Sequence, residues 1–519
     1  MDINYYELAA FILYFIVVIG VGLYFFIKSK NTSEKDYFLG GRNMGGWVSA
    51  LSAGASDMSA WVLMGLPGSI FLYGLGQVWI SIGLFVGTVC AWFFVAPRLR
   101  RYAIKANDSI TIPQFFSNRF MTKNPLLRIS CAVIFVIGYC LYSASSIFAC
   151  GRLFNMIIPA VNNDVAMIIA SVIIVAYTLL GGFKAVCWTD FFQGMLMVVA
   201  LMSVPIIALI VMNVSGSVGT VTTPENYYNF LSSGKFDWAS IASILTGLGW
   251  GLGYFGMPHI LVRYMAVKSE KEMRKSQIIG TVWIFLILTM ATAVALVAHE
   301  YLGSSVSAAD KELVFVALVR QIFGYGALAI IGGMLISSIV AASMSTADSQ
   351  LLASSSAFAS DIYKSTLKKN ASDKEMLWVG RIAVCAVSVI ALGIALLVYY
   401  FSLANIMEIV SAAWSIFGAA FGPTVILSLY WRRFNYKGAC AGIITGFVVS
   451  VLWMILFNLG YYGFSAVITD TGLYEIVPGF LAGLISAVVT SLVTKAPQAE
   501  ITELFDSVKK MNKNSEAEV

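Results

Sequence analysis

Long, uninterrupted apolar runs recur along this sequence, and their length restricts its fold more than any other feature. Thirteen runs reach about twenty residues or more, the length an α-helix needs to cross the ~30 Å hydrocarbon core of a bilayer. Only 12% of the 519 residues are charged, against about 25% in soluble domains. We therefore predict an all-α polytopic membrane protein with 13 transmembrane helices. The predicted spans are 6–27, 46–73, 76–96, 127–156, 163–182, 186–212, 238–262, 276–300, 325–347, 376–400, 405–430, 438–458 and 475–494.

The basic residues between these runs predict the orientation of the chain. Lys and Arg concentrate in every second loop, as they do in loops that stay in the cytoplasm. This pattern and the odd number of spans place the N-terminus outside and the C-terminus in the cytoplasm. The net charge of +6 then reflects these loops, and no nucleic-acid partner is predicted. The basic stretches are 28–42, 98–105, 263–275, 364–374, 432–437 and 495 onward.

Two predicted spans, the second and the seventh, are interrupted by glycine and proline. Span 2 carries Pro67 after a Gly/Ser/Asp segment, and span 7 carries five glycines before Pro258. Such a pair at corresponding positions is typical of transporters built from two inverted repeats. We therefore predict a first peripheral span with a loop, two five-span repeats, two further peripheral spans and a polar tail. These units are 1–45, 46–212, 213–430, 431–494 and 495–519.

The strongest functional signal is Asp57, which lies in an otherwise apolar and small-residue segment, 51–68. It follows the start of span 2 by roughly 16 Å of helix, which is near the bilayer centre, where a carboxylate marks a function by default. The surrounding Gly and Ser indicate a helix that opens and offers carbonyls and hydroxyls to a hard cation such as Na⁺. The free N–H groups of the following half-helix would attract a substrate carboxylate. The alternative is a structural aspartate paired with a hydroxyl or an arginine.

Two further groups of residues suit a small-solute site. Ala342, Ser345 and Thr346 in span 9 share one helix face and would form part of a sodium cage, although small residues also serve helix packing. Trp250 and Tyr254, with Pro258 one turn further on, form a stripe on span 7 that suits a pocket wall or, alternatively, a lipid-facing or core surface. Tyr142 in span 4 is a similar, weaker candidate.

Several charged residues stand near the predicted cytoplasmic ends of spans. Asp190 in span 6 and Asp348 in span 9 would line an ion exit route or, alternatively, be interfacial charges. Arg42, just before span 2, would tether a cytoplasmic gate. The seven cysteines form no C-x-x-C pair and only two histidines are present, so neither a His/Cys metal centre nor a membrane enzyme is predicted.

Six blocks of this sequence resemble the sodium/solute symporter family, and within it the members that transport proline. The resemblance extends over about residues 5–495 and implies a LeuT-like core of five-plus-five helices within thirteen spans. It further implies sodium-coupled uptake of L-proline by alternating access across a bacterial cell membrane, with Na⁺ as a co-transported ion, no cofactor and no obligate protein partner. The blocks are DYFLGGR at 36–42, ALSAGASDMS at 50–59, GLPG at 65–68, GGFKAVCWTD at 181–190, GWGLGYFGMPH at 249–259 and MSTADSQLL at 344–352.

The resemblance also implies roles for individual residues. Asp57 matches an aspartate needed for sodium coupling that acts beside the ion, and Arg42 matches a gate-region arginine. The implied sodium ligands are the carbonyls of Ala55, Met58 and Ala342 and the hydroxyls of Ser345 and Thr346. The positions associated with proline are Ser59, Tyr142, Trp250, Tyr254 and Pro258.

A second sodium site, present in some members of the family, is predicted to be absent. Asp190 matches its aspartate, but its two hydroxyl positions fall on Asp348 and Ser349, so that one hydroxyl is replaced by a carboxylate. One sodium per proline is therefore expected. Two alternatives to proline symport remain at this point: a symporter of the same fold for another amino acid, a sugar or a vitamin, and a transporter-like sensor. The sensor would need a signalling domain after the last span, where about 25 polar residues stand.

Overall fold

The structure, a computed structural model, describes residues 4–28, 33–216, 219, 223–458 and 471–511. Residues 1–3 of the first predicted unit and 512–519 of the predicted tail lie outside the described residues. The described secondary structure is helical apart from an isolated β-bridge between Met44 and Val267. The first helices are α1 Tyr5–Lys28, α2 Glu34–Leu39, α3 Gly46–Asp57, α4 Leu66–Tyr73, α5 Val78–Cys90, α6 Ala96–Lys105, α7 Ile112–Arg119, α8 Leu126–Ile157 and α9 Asn163–Ser215.

The second half of the described chain is helical in the same way. Short 3-10 or π-helical turns join several of the helices, notably Trp61–Gly65 between α3 and α4, and Ala91–Val95 between α5 and α6. The turn Trp250–Phe255 separates α10 from α11. The remaining helices are α10 Trp238–Gly249, α11 Pro258–Ala266, α12 Glu270–Leu302, α13 Val314–Phe323, α14 Leu328–Ser356, α15 Asp373–Phe401, α16 Ile406–Tyr430, α17 Tyr436–Phe457, α18 Ile476–Val493 and α19 Ala499–Lys510.

The long apolar helices confirm a multi-pass α-helical membrane protein. Among the described residues, 10 helical stretches are long and apolar enough to cross a membrane. Two shorter apolar stretches, Trp61–Tyr73 and Asn163–Leu179, belong to predicted spans 2 and 5. Each predicted span coincides with helical segments, but the count of thirteen crossings stays a prediction.

Predicted spans 5 and 6 form one bent helix, α9, of 53 residues. The bend is at Gly182, where φ is 59° and ψ is −177°. This conformation is open to glycine and strained for residues with a Cβ, so the glycine allows the chain to change direction without a loop.

Both predicted interruptions are confirmed. In span 2, α3 ends at Asp57, and Met58 has the non-helical angles φ −82° and ψ 74°. In span 7, α10 gives way to the 3-10 turn, and Met257 is extended, with φ −75° and ψ 109°. Pro258 then begins α11. Proline is well tolerated at the first position of a helix, because an N–H group there would have no partner within the helix. The two breaks leave backbone groups without helical partners deep in the protein.

The predicted polar tail contains a docked helix, α19. Its residues Ile501, Phe505 and Val508 recur at helical spacing and are buried. The ring of Phe505 packs against Tyr102 of α6, with 6.4 Å between ring centroids. Asp506 forms an ion pair of 3.0 Å with Arg432, beyond the end of α16. The tail therefore begins as a structured part of the bundle.

Glycines let α5 pack directly on the second break. A Cβ added to Gly83 would lie 2.2 Å from the carbonyl oxygen of Gly247, and one added to Gly87 would lie 2.3 Å from that of Gly251. These distances are too short for any side chain, and the obstructing atoms are backbone. The Gly-x-x-x-Gly spacing of α5 thus holds the broken helix by close backbone packing.

Gly87→Ala is therefore expected to destabilise the protein by about 1–3 kcal/mol, the usual effect of overpacking a close contact. Gly393→Ala in α15 is the matched control, because nothing lies within 4 Å of its added Cβ. The measurement is thermal unfolding of both purified variants in the same detergent. Equal transition temperatures for the two variants would contradict the proposed contact.

Candidate functional site

The two broken helices meet at Asp57. The hydroxyl of Tyr254, from the 3-10 turn of span 7, donates a hydrogen bond to Asp57 Oδ2. Asp57 is fully buried, and within the described structure its other oxygen, Oδ1, has no hydrogen-bond partner. An unpaired carboxylate oxygen at this depth is costly unless a cation approaches it. The geometry therefore makes Asp57 a cation-attracting group held in place by Tyr254.

The backbone carbonyl of Asp57 is bound by its surroundings. The hydroxyl of Tyr142 on α8 donates to it at 3.2 Å, and the indole Nε1 of Trp61 donates at 3.1 Å. The backbone N–H of Ser59 also donates to this carbonyl, at 3.0 Å. Tyr142, Tyr254 and Ser59, predicted from separate spans, thus converge on one residue. These contacts fix the open end of α3.

A second group of oxygens joins α3 to α14. The hydroxyl Oγ of Ser345 lies 2.8 Å from the carbonyl oxygen of Ala55 and 3.0 Å from that of Ala342. Thr346 Oγ1 is buried and has no hydrogen-bond partner in the described structure. Met58 is fully buried at the break between α3 and α4. Carbonyl and hydroxyl oxygens of this kind suit a hard cation such as Na⁺.

Aromatic rings cover this region on the side away from Arg42. Trp250 packs against Trp61 and Trp414, with centroids 5.9 Å and 6.3 Å away, and stacks on Tyr474 at 5.2 Å. Trp414 Nε1 also donates to the Trp250 carbonyl at 2.8 Å. Trp250 lines a cavity of about 330 Å³ that opens toward the ends of α4 and α10. Its volume and mixed apolar and polar lining suit a small solute.

The remaining predicted solute residue and the ion-exit residues lie on or near α11. Pro258 is buried at the start of α11. Asp190 Oδ2 accepts hydrogen bonds from Arg263 at 2.8 Å and from Ser52 at 2.7 Å. Arg263 also donates to Ser349 Oγ at 2.5 Å, and Ser349 donates to Asp348 at 3.2 Å.

The end of the bundle that carries Arg42 and Arg100, predicted to be cytoplasmic, is called the inner end. Here Arg42 donates to Asp108 at 2.8 Å and to the carbonyl of Met265 at 2.6 Å. Arg100 donates to the carbonyl of Val267 at 2.6 Å. The β-bridge between Met44 and Val267 joins the same segments. Side chains and backbone together close the inner end between spans 2 and 7.

Asp108, in the loop after α6, is charged in this contact. Burial opposes its ionisation, but hydrogen bonds from Lys35 and Arg42 outweigh burial and hold the pKa of the Asp108 carboxyl below its usual value. The salt bridge to Arg42 is therefore complete at neutral pH.

Sequence reasoning missed Arg263, Trp61 and Trp414. The sequence predicts a basic loop from Arg263, just after span 7, but α11 continues to Ala266 and the Arg263 side chain is 2% exposed. No local signal marks it in the sequence, because its partner Asp190 lies 73 residues away. Trp61 and Trp414 carried no signal beyond ordinary apolar character.

Comparison with known proteins agrees with this geometry. The profile of the sodium:solute symporter family matches residues 37–446. The osmoregulated proline transporter OpuE of Bacillus subtilis (strain 168) is 39% identical over 502 residues, covering 96% of this chain and 97% of that protein. The high-affinity proline transporter PutP of the same strain is 41% identical, covering 93% and 97%. A sodium/proline symporter of Staphylococcus aureus (strain JH9) is 36% identical, covering 98% and 97%.

Solved structures show the same fold. The substrate-bound, outward-open structure of a Na⁺-coupled sialic acid symporter aligns with a TM-score of 0.75 at 18% identity, covering 96% of this chain and 100% of that one. MhsT in complex with L-phenylalanine aligns with a TM-score of 0.54 at 12% identity, covering 86% and 97%. These likenesses confirm a LeuT-like fold. Because the family profile covers most of the chain and close relatives cover nearly all of it, this protein belongs to the sodium:solute symporter family.

Proposed function

We propose that this chain is a Na⁺/L-proline symporter of a bacterial cell membrane that works by alternating access. The relatives named as proline transporters match nearly its whole length. The observation that carries the proposal is the 2.8 Å contact between Ser345 Oγ and the Ala55 carbonyl. It joins the broken end of α3 to α14 through oxygen atoms of the kind that Na⁺ takes as ligands.

Sodium binds where α3 and α14 meet. Asp57 stands beside this point as a buried carboxylate, and its Oδ1, which has no partner in the described structure, lowers the electrostatic cost of bringing an ion to this depth. The membrane potential contributes about 2.3 kcal/mol per charge per 100 mV to inward movement. The proposed ligands are the carbonyls of Ala55, Met58 and Ala342 and the hydroxyls of Ser345 and Thr346.

Proline binds on the other face of the break. Its ring lies against Trp250 and Tyr254, and its carboxylate meets backbone N–H groups near Ser59, at the start of the second half-helix. Tyr142 and Pro258 complete the surroundings. Because Na⁺ and Tyr254 act on the same break, the ion favours the arrangement that binds proline. The effect of bound Na⁺ on proline affinity is a coupling free energy between the sodium site and the proline site.

Release occurs at the inner end. The proposed orientation has the N-terminus outside and the C-terminus in the cytoplasm, and the two repeats, 46–212 and 213–430, move against each other within the lipid bilayer. Arg42 holds the inner gate, and Asp190, Asp348 and Ser349 line the ion exit. The Arg263 guanidinium already neutralises Asp190, which favours one sodium per proline.

Uptake by proteoliposomes tests this function. The purified protein should accumulate labelled L-proline under an inward Na⁺ gradient and should fail to do so when K⁺ replaces Na⁺. Unlabelled proline should compete better than other amino acids, sugars or vitamins. Preferential competition by one of those solutes would assign the chain to a different substrate within the same family.

Variants of the proposed sodium ligands sharpen the test. Ser345→Ala and Thr346→Ala should each raise the half-saturating Na⁺ concentration about tenfold to a hundredfold, because each removes a hydroxyl oxygen that contacts the ion. Ser343→Ala is the matched control, since Ser343 Oγ donates at 2.9 Å to Ile339 in its own helix. An equal Na⁺ dependence for all three variants would contradict the proposed site.

A further inference from the structure

A second large cavity, of about 480 Å³, lies at the inner end, beside the start of α12. It lies where the segment from the π-helical turn into α6 meets α12 and the end of α16. Its polar wall carries Arg98, Arg101 and Arg274, and its apolar wall carries Phe93, Phe94 and Tyr430. None of these residues takes part in the sodium or proline site. The cavity therefore requires an explanation of its own.

The charge in this cavity is unbalanced. Among the described residues that line it, Glu270 is the one carboxylate, and it is shared between Arg100 at 3.2 Å and Arg101 at 3.5 Å. Among the described residues, no carboxylate pairs with Arg98 or Arg274. An anion would complete the balance.

Arg98 is the best-placed group for such an anion. Its guanidinium lies over the ring of Tyr430, 4.5 Å from the centroid, and 5.4 Å from that of Phe505 on α19. Its Nε is buried, and within the described structure it has no hydrogen-bond partner. Aromatic contacts thus hold the cation in place while leaving a buried donor unused. Guanidinium groups of this kind bind phosphate with particular strength.

The apolar wall indicates which kind of molecule would bring an anionic group into the cavity. The side chains of Phe93 and Phe94 are 46% and 61% exposed, within a predicted membrane span, and Ile278 on neighbouring α12 is 64% exposed. These surfaces face lipid in a membrane protein of this fold. The cavity therefore joins a basic end to an apolar surface, which matches the shape and polarity of a phospholipid at the cytoplasmic interface.

We propose that this cavity binds an anionic phospholipid of the cytoplasmic leaflet, such as phosphatidylglycerol. The lipid phosphate lies between Arg98 and Arg274, and an acyl chain runs along Phe93 and Phe94. Because the cavity lies between α6 and α12, the lipid links the two predicted repeats. Its binding is independent of which solute the protein transports.

Native mass spectrometry of the full chain, titrated with phosphatidylglycerol or phosphatidylcholine, tests this site. The wild type should bind one phosphatidylglycerol more tightly than phosphatidylcholine. The double variant Arg98→Gln/Arg274→Gln should lose about thirtyfold in phosphatidylglycerol affinity, on the usual contribution of two interfacial arginines. The control Lys369→Gln/Lys374→Gln removes the same charge from exposed residues outside the cavity and should bind as the wild type does.

The outcomes separate a lipid site from its alternatives. Equal binding of the two lipids, or a double variant that binds like the control, would overturn the proposal. Displacement of the lipid by equimolar inorganic phosphate would identify a soluble anion as the occupant and overturn it too. If the glutamine variant does not fold, Arg98→Lys/Arg274→Lys keeps the charge and should retain preferential binding of phosphatidylglycerol.

Discussion

Replacing Asp57 with alanine is expected to abolish sodium-dependent proline uptake, with a fall in initial rate on the order of a hundredfold or more. The variant removes a fully buried carboxylate whose Oδ1 is unpartnered among the described residues. Truncating one member of a close, desolvated charge pair typically costs 2–5 kcal/mol. It also removes the acceptor of the Tyr254 hydrogen bond, so the two breaks lose the hydrogen bond that joins them. The measurement is labelled uptake in proteoliposomes across a range of Na⁺ concentrations.

Tyr254→Phe is the informative comparison. It removes the hydrogen bond and retains the carboxylate, so we expect weaker proline binding with Na⁺ stimulation preserved. Both variants should elute as monodisperse protein, which separates a transport defect from misfolding. Normal sodium-stimulated uptake by Asp57→Ala would show that the carboxylate is structural and would exclude it from coupling.

Removing the charge of Arg263 is expected to produce the largest loss of stability. Arg263→Gln leaves Asp190 as a fully buried carboxylate without its cation, and breaking a buried ion pair in this way typically costs about 3–5 kcal/mol. The neutral double variant Arg263→Gln/Asp190→Asn should recover most of this loss, because no uncompensated charge remains. Thermal unfolding of purified protein measures both effects.

Lys275→Gln is the matched control for this pair. Its partner is Glu272, and the Lys275 side chain is 48% exposed, so the expected change is below about 1 kcal/mol. If Arg263→Gln were no less stable than this control, the buried pair would not hold α11 to α9. If the double variant were as unstable as the single one, the lost hydrogen bonds rather than the charge would explain the loss.

Much of the fold could be predicted because a bilayer imposes a length on every helix that crosses it. The breaks were predictable for a similar reason. Asp57 and Pro258 are each hard to accommodate in a membrane helix, so their presence indicates an irregular segment. Polarity and helical spacing, which describe one face of one helix, singled out Asp57, the Ser345–Thr346 pair and the Trp250–Tyr254 stripe. The roles predicted for Ala55, Met58 and Ser59 rested on the family resemblance alone.

Contacts between distant segments could not be predicted in this way. In the sequence, Arg263 looks like any other basic loop residue next to a span. Only its contact with Asp190, 73 residues away, distinguishes it from the arginines of the loops. Likewise, the sequence shows Phe505 only as an apolar residue in a polar tail, and its packing against Tyr102 is visible only in the fold. The sequence also does not show which hydrogen bonds remain unmade. Asp57 Oδ1 and Thr346 Oγ1, which have no partner among the described residues, are the clearest features of the site.

The two ends of the bundle are closed by different kinds of contact. Toward the cavity of about 330 Å³, Trp250 and its neighbouring rings cover the site, and they can move by rotamer changes, which take picoseconds to nanoseconds when side chains are free and longer when they are packed. At the inner end, Arg42, Arg100 and the backbone bridge at Val267 must separate together, which is a collective motion of microseconds to milliseconds. In the proposed transport cycle, opening the inner end therefore requires several contacts from different segments to break together, whereas access from the other side requires aromatic side chains to move.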